Sequence, residues 1–463
     1  MSLTTLPRPL LLLTMFATLV ACADTMQPPH ETTPSSPPSS KQDCPTCQES
    51  DEPSSMLLAP RAQLDYCERS TIDTLTLPVL PNQDATHASF LYHYQYTPPA
   101  DPSLPVIVYL PGGPGSRGIQ KTRDQFQAVP QGYGLLQTES RGSACNDFVL
   151  PEELDAEEVF TPEMIARDVL ATLDYLGIEN YILYGHSFGT ISATTIAHLS
   201  PTFSHQPMAV VLEGTVGKAF SADEYVSGYT QPFSFLKQFL SPEATAAISV
   251  EEPDALGLTP HQWGQAIQTL LVVNPQYLVA LLNAAFSDDE TVLAQSISHL
   301  RLMAGEEPEL QPEEATSGVY GSNLFKTLAC SYIWDLNVDF RLRAGELEQE
   351  LVLCAGGELT SRAYDSASLP IKDIPIFYLQ GKLDPATTLD SALYHMTHQQ
   401  ETTRHMFQFD WAGHNILSGV FYGFADHCKQ ELWKSISGEI SPEDAALACD
   451  RESDTVHLIT KTK

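Results

Sequence analysis

The chain has 463 residues, enough for one large domain with an insertion or for two smaller ones. Hydrophobic residues at 43% and charged residues at 18% fit a folded protein and exclude wholesale disorder. Against 24 Lys and Arg stand 58 Asp and Glu, a formal net charge of −34, which argues against nucleic acid, whose binders need clustered basic side chains.

At the N-terminus Arg8 precedes an apolar run from Leu10 to Val20. The run is shorter than the roughly 20 residues a bilayer span requires, and it suits an export signal. The run closes in "LVAC", Leu19 to Cys22, which resembles the lipobox of bacterial lipoproteins. That resemblance implies cleavage before Cys22, lipidation of its thiol and anchoring to a membrane on the periplasmic or cell-surface side. Residues 23–55 are rich in Pro, Ser and Thr and read as an extended tether. Export permits disulfides. Of nine cysteines, Cys22 is reserved for lipid, leaving an even number for pairing. Cys44 and Cys47 in the tether read as a local disulfide. Closeness in sequence suggests Cys330–Cys354 and Cys428–Cys449, and Cys67–Cys145 would tie the start of the domain to a later loop.

Beyond the tether, "STIDTLTLPVL" and "SFLYHYQYT" are β-rich and partly alternating, which predicts an antiparallel pair. "VIVYL" (106–110) and "YGLLQT" (133–138) are short continuous apolar runs. A helix is predicted over 161–178, with Ile165, Val169, Leu173 and Leu176 on one face, Thr161 as N-cap and Pro162 at the first position. "YILYG" (181–185), a helix near 189–199 and "MAVVLEG" (208–214) continue the alternation, the mark of a parallel sheet covered on both faces. After Gly214 the alternation stops. "FSFLKQFL", "QYLVALLNAAF" and "SISHLRLMA" are helical in pattern. Strands return with "IPIFYLQG" (374–381) and "HMFQFDWAG" (405–413), followed by a final helix near 417–436. The domain boundaries are therefore 1–21 for the signal, 22–60 for the tether, 61–215 and 368–463 for an α/β core, and 216–367 for a helical cap.

"YGHSFGT" (184–190) places Ser187 at G-x-S-x-G spacing where an apolar strand meets a helix. That is the context of a nucleophile elbow. A serine needs a base, and the base needs an orienting acid, both at the ends of later strands. "QGKLDPATT" offers Asp384 and "DWAGHNIL" offers His414. The glycine-rich "LPGGPGSRG" (110–118) and the start of the helix after Ser187 offer oxyanion donors, expected as the N–H groups of Gly113 and Phe188. This chemistry calls for no metal and no organic cofactor.

Taken in order, "PGGPG", "ESRGSACN", "GHSFGT", "GKLDPATT" and "AGHNI" resemble the prolyl iminopeptidase and tripeptidyl aminopeptidase family of α/β-hydrolases, the tripeptidyl branch most closely. The resemblance runs from about Cys67 to the C-terminus. It implies the α/β-hydrolase fold, a mostly parallel sheet with helices on both faces and an inserted helical cap. It also implies a serine aminopeptidase acting on short peptides with a free amine; the same triad would equally serve an esterase or amidase. The family's D-Q-R-G-x-G-x-S stretch here reads Glu139-Ser140-Arg141-Gly142-Ser143-Ala144-Cys145-Asn146, which points to Glu139 and Arg141 at the neighbouring substrate subsite. Glu213 stands where relatives often carry an aspartate, and two roles are open to it: meeting the substrate ammonium, or closing the sheet. Asp223 and Glu224 are the next carboxylates for the ammonium.

Overall fold

The continuous apolar runs pair into one nine-stranded sheet in a computed structural model of the chain. The structure describes residues 57–59, 64–81, 88–119, 121–123, 126–247, 257–258, 260–286, 289–304, 323–333, 364–417, 426–450 and 455–463. All of these belong to one unit, Ser54–Lys463. The signal, Cys22, the tether with Cys44 and Cys47, and Cys354 lie outside the described residues.

The strands are β1 (Asp73–Pro78), β2 (Ser89–Thr97), β3 (Val106–Leu110), β4 (Gly134–Thr138), β5 (Tyr181–His186), β6 (Ala209–Glu213), β7 (Ile376–Gly381), β8 (Arg404–Phe409) and β9 (Val456–Lys461). Their spatial order is β1-β2-β4-β3-β5-β6-β7-β8-β9. β3 to β8 run parallel to their neighbours, while β1, β2 and β9 close the edges antiparallel. β4, β6 and β7 are buried along their whole length, as a sheet covered on both faces requires.

Side chains leave a strand on alternate faces, so each central strand feeds two cores. Leu183 of β5 and Val210 and Leu212 of β6 enter one core, with Val169 and Leu173 of α1 (Pro162–Leu176) and Ile191 and Ile196 of α2 (Gly189–Leu199). Ile182 and Tyr184 of β5 and Val211 of β6 enter the other, beneath Leu432 and Trp433 of a helix at Asp426–Ile436. α1 begins as expected: Thr161 Oγ1 accepts the Met164 N–H at 3.1 Å, and Gly177 closes the helix in the left-handed region.

Between β6 and β7 the described residues are mainly helical: α3 (Ala222–Leu236), α4 (Pro260–Val273), α5 (Pro275–Ala285) and α6 (Glu290–Ala304). Phe233, Trp263, Leu278, Leu282 and Leu300 form a third core there. That core extends into the sheet, because it includes Leu383 from the loop after β7. Several elements were not read from the sequence, among them α4, the helix Leu389–His398 between β7 and β8, and β9 and the helix Pro442–Asp450 beyond the last expected helix. The buried residues of α4, Trp263, Ala266, Ile267, Leu270 and Leu271, nevertheless follow the spacing of a single helical face. Of the expected disulfides, Cys67–Cys145 and Cys428–Cys449 are formed, with Cα separations of 5.6 and 4.7 Å. Cys330 is disulfide-bonded as well.

Candidate functional site

Ser187 is the pivot of the turn from β5 into α2. Its φ of 55° lies in the left-handed region, a conformation that costs a non-glycine residue on the order of 1–3 kcal/mol. The surroundings impose it. A Cβ on Gly185 would lie 2.3 Å from the Gly189 carbonyl oxygen, and one on Gly189 would lie 2.1 Å from that of Leu110. Chain segments therefore cross at contact distance on both sides of the serine. The Ser187 N–H donates to the Glu213 carbonyl at 2.9 Å, and its own carbonyl accepts from Thr190 N (2.9 Å) and Oγ1 (2.6 Å). The backbone is fixed while the side chain stays partly accessible.

The glycine loop after β3 passes directly over this turn, since a Cβ on Gly112 would lie 2.9 Å from that of Ser187. Gly113 is exposed and adopts φ 108°, whereas Phe188 is buried. Among the described residues, neither the Gly113 nor the Phe188 N–H donates to a protein acceptor.

Asp384 and His414 meet as their strand-end positions suggested. His414 Nδ1 lies 2.8 Å from Asp384 Oδ2, and both side chains are buried. The carboxylate is held by the turn that carries it. Oδ1 accepts the N–H groups of Ala386 and Thr387, each at 2.9 Å, and Oδ2 accepts Thr387 Oγ1 at 2.7 Å and Gln380 Nε2 at 3.3 Å. With a proton on Nδ1 facing this carboxylate, Nε2 is left as the acceptor. Burial opposes charge on His414, but Asp384, by charge and hydrogen bond, and the charge of Glu213 outweigh it and raise its pKa. The His186 ring stands 4.9 Å from that of His414, so the elbow and the histidine loop adjoin. Burial lowers the pKa of His186 despite nearby carboxylates.

The backbone of the histidine loop is anchored twice. The N–H groups of His414 and Asn415 both donate to the Val272 carbonyl in the last turn of α4, at 2.9 and 3.4 Å. Those of Ile416 and Leu417 both donate to Glu213 Oε1, the second at 3.0 Å. Tyr184 OH donates to Glu213 Oε2. Glu213 is wholly buried and its carboxylate is engaged by these groups, which corrects the expectation that it faces a substrate ammonium.

Glu139 and Arg141 also differ from the expectation of a substrate subsite. Glu139, 1% exposed, accepts from Tyr66 OH, Ile119 N and Cys145 N at 2.9, 3.2 and 2.9 Å. Arg141, also 1% exposed, forms a bidentate pair with Asp168, with Nε to Oδ2 at 2.7 Å. Charges so deep need internal partners. Arg141 and Asp168 match each other, while Glu139 is held by neutral donors and burial raises its pKa. Glu224 belongs to the start of α3, where it completes a capping box with Ser221 and pairs with Lys218 at 2.7 Å. The side chain of Asp223 lies outside the described residues.

Thr387, Gln380, Tyr184 and Val272 were not read from the sequence. Thr387 had a local signal, being three residues after Asp384 in a turn. Val272 had none, because it acts through a carbonyl that every residue type possesses. Among the described residues no group of three His, Cys, Asp or Glu side chains could hold a metal.

No curated protein matches the chain significantly. Among solved structures, a proline iminopeptidase from Mycobacterium smegmatis is 16% identical and aligns over 73% of this chain and 91% of its own, with a TM-score of 0.36. A 2-hydroxy-6-oxo-6-phenylhexa-2,4-dienoate hydrolase from Rhodococcus sp. strain RHA1 is 16% identical over 74% and 93%, with a TM-score of 0.35. A hydrolase from Pseudomonas aeruginosa PA01 is 15% identical over 79% and 98%, with a TM-score of 0.40. The α/β-hydrolase fold family model matches residues 105–418, well over half of the chain and all of the sheet from the β3 end to the histidine loop, and the protein belongs to that family.

Proposed function

We propose that the protein is a serine hydrolase that removes residues or short peptides from free N-termini. In this reading His414 Nε2 takes the proton of Ser187 Oγ as the oxygen attacks the scissile carbonyl carbon. The Gly113 and Phe188 N–H groups receive the developing oxyanion. The C–N bond breaks, the imidazolium returns its proton to the departing amine, and water then hydrolyses the acyl ester by the same route in reverse. Asp384 holds the imidazole in the required tautomer and stabilises its cation. The observation that carries the reaction class is the 2.8 Å His414–Asp384 contact beside a serine held in the left-handed region. The substrate class rests on the ordered motifs from "PGGPG" to "AGHNI".

A second reading, an esterase or amidase for small acyl substrates, is favoured by one specific observation. Glu213 and Glu224 are both committed to internal partners, so neither stands ready for an ammonium. Matched aminoacyl and tripeptidyl amides, with and without N-acetylation, tested beside simple acyl esters, separate the two. Free-amine substrates should turn over while their acetylated counterparts are nearly inert. Equal rates for both forms would replace the aminopeptidase with the esterase or amidase.

We also propose export and lipid anchoring through Cys22, supported by "LVAC" and the polar stretch that follows it. Mass spectrometry of the mature protein should find an acylated Cys22 at the N-terminus. An unmodified N-terminus elsewhere would refute the anchor.

A further inference from the structure

We propose that Glu213 is a positioning residue for His414, a role that rests on the serine-hydrolase reading of the site. The loop leaving β8 carries four consecutive backbone N–H groups, from His414 to Leu417, that form no strand or helix ladder. Two acceptors hold all four. The Val272 carbonyl takes the first pair, and a single oxygen of Glu213 takes the second. Buried N–H groups left without an acceptor are unfavourable, so removing the carboxylate would leave those of Ile416 and Leu417 unmatched and free the loop to reorganise.

Glu213 suits the task because both its backbone and its side chain are already bound to the site. Its carbonyl accepts the Ser187 N–H, and its N–H side of the strand is locked between β5 and β7. One residue therefore touches the backbone of the elbow and the backbone of the histidine loop, and fixes one relative to the other. Tyr184, on the adjacent strand β5 two residues before the Glu213 partner His186, orients the carboxylate through its hydroxyl. Its ring is wedged edge-on against Trp433 at 5.7 Å, so the hydroxyl has little freedom to leave. The carboxylate adds a charge besides. The titratable groups facing His414 are Asp384 from the β7 loop, Glu213 from the end of β6 and His186 from the end of β5. The two carboxylates both favour the imidazolium that forms during proton transfer.

Scaffold and charge separate in two variants. Glu213→Gln keeps an oxygen acceptor for Ile416 and Leu417 but removes the charge. Glu213→Ala removes both. Labelling of Ser187 by a fluorophosphonate probe reports the site without assuming a substrate, and wild-type labelling that is absent in Ser187→Ala tests the underlying reading separately. Glu213→Ala should label about 10–100-fold more slowly, the cost of a misplaced reacting group. Glu213→Gln should lose only a few-fold in rate, with the acidic limb of its labelling profile displaced to lower pH. Should Glu213→Ala fail to fold, Tyr184→Phe, which frees one carboxylate oxygen, should give an intermediate rate. Folded variants with wild-type labelling rates and profiles would overturn the proposal. So would normal labelling with KM raised only for free-amine substrates, which would return Glu213 to the ammonium.

Discussion

The backbone N–H of His414 donates to the carbonyl of Val272 at 2.9 Å, so the last turn of an inserted helix and the histidine loop form one hydrogen-bonded unit. The approach is close enough that a Cβ on Gly413 would lie 2.0 Å from the Leu271 carbonyl oxygen. Gly413→Ala should therefore push α4 away from the loop. Overpacking against backbone of this kind typically costs about 1–3 kcal/mol. Thermal melting should show that loss, and probe labelling of Ser187 should slow at least tenfold, by analogy with other small misplacements of reacting groups. A variant with the parental melting temperature and labelling rate would show that the helix and loop are independent.

The left-handed φ of Ser187 makes opposite predictions for stability and activity. Ser187→Gly relieves the strain and should stabilise the fold by about 1 kcal/mol, while abolishing turnover. Ser187→Ala should abolish turnover without that gain. Chemical denaturation of the two variants side by side checks this. Equal stabilities would mean that the turn stores no strain.

His414 must be neutral to accept a proton, and its surroundings raise its pKa. Activity should consequently be lost as pH falls through a value above the ordinary imidazole pKa of about 6.5. Asp384→Asn removes the larger of the two raising charges, so the residual activity should have its acidic limb displaced to lower pH. A wild-type limb below 6.5 would contradict the electrostatic picture.

His395 behaves in the opposite sense. It is fully buried between Tyr378 OH (2.8 Å, at Nδ1) and Thr194 Oγ1 (3.2 Å, at Nε2), and burial lowers its pKa from 6.5 to about 3. Between those values the unfolded chain binds a proton that the folded chain refuses, so stability falls as pH drops from 6.5 towards 3. The loss accumulates at about 1.4 kcal/mol per pH unit across the window. His395→Gln should be less stable at neutral pH but should flatten this slope. An unchanged slope in urea titrations at successive pH values would refute the assignment.

Arg141 and Asp168 form a pair whose side chains are 1% and 4% exposed. Arg141→Ala leaves the carboxylate unmatched and should cost about 3–5 kcal/mol of stability. At a temperature where the variant remains folded, KM should be unchanged. A rise in KM without a stability loss would restore Arg141 to the substrate subsite.

Much of the site was legible in the sequence because its signals are local. Ser187, Asp384 and His414 each follow a continuous apolar run, and a buried parallel strand announces itself by that run whatever its neighbours are. Glycines at 112, 185 and 189 mark crossings too tight for a side chain, and the motif spacing carries them. Residues assigned to the substrate by resemblance to the family took internal roles instead. Glu139, Arg141 and Glu213 could face a cleft or be buried against a partner, and one-dimensional pattern does not distinguish the two.

What decides their roles is which segments the sheet order makes neighbours. β6 lies beside β5, which sets the Glu213 carbonyl against Ser187. The strand ends then bring its carboxylate beneath the loop after β8, two positions away in the sheet. Val272 is more extreme, since its contribution is a carbonyl indistinguishable from any other until α4 packs against the loop. Sequence determined which residues stand at the strand ends, because burial on both faces selects side chains locally. Only the tertiary structure decided which of them touch, because hydrogen bonds form between segments whose meeting depends on the packing of the whole chain.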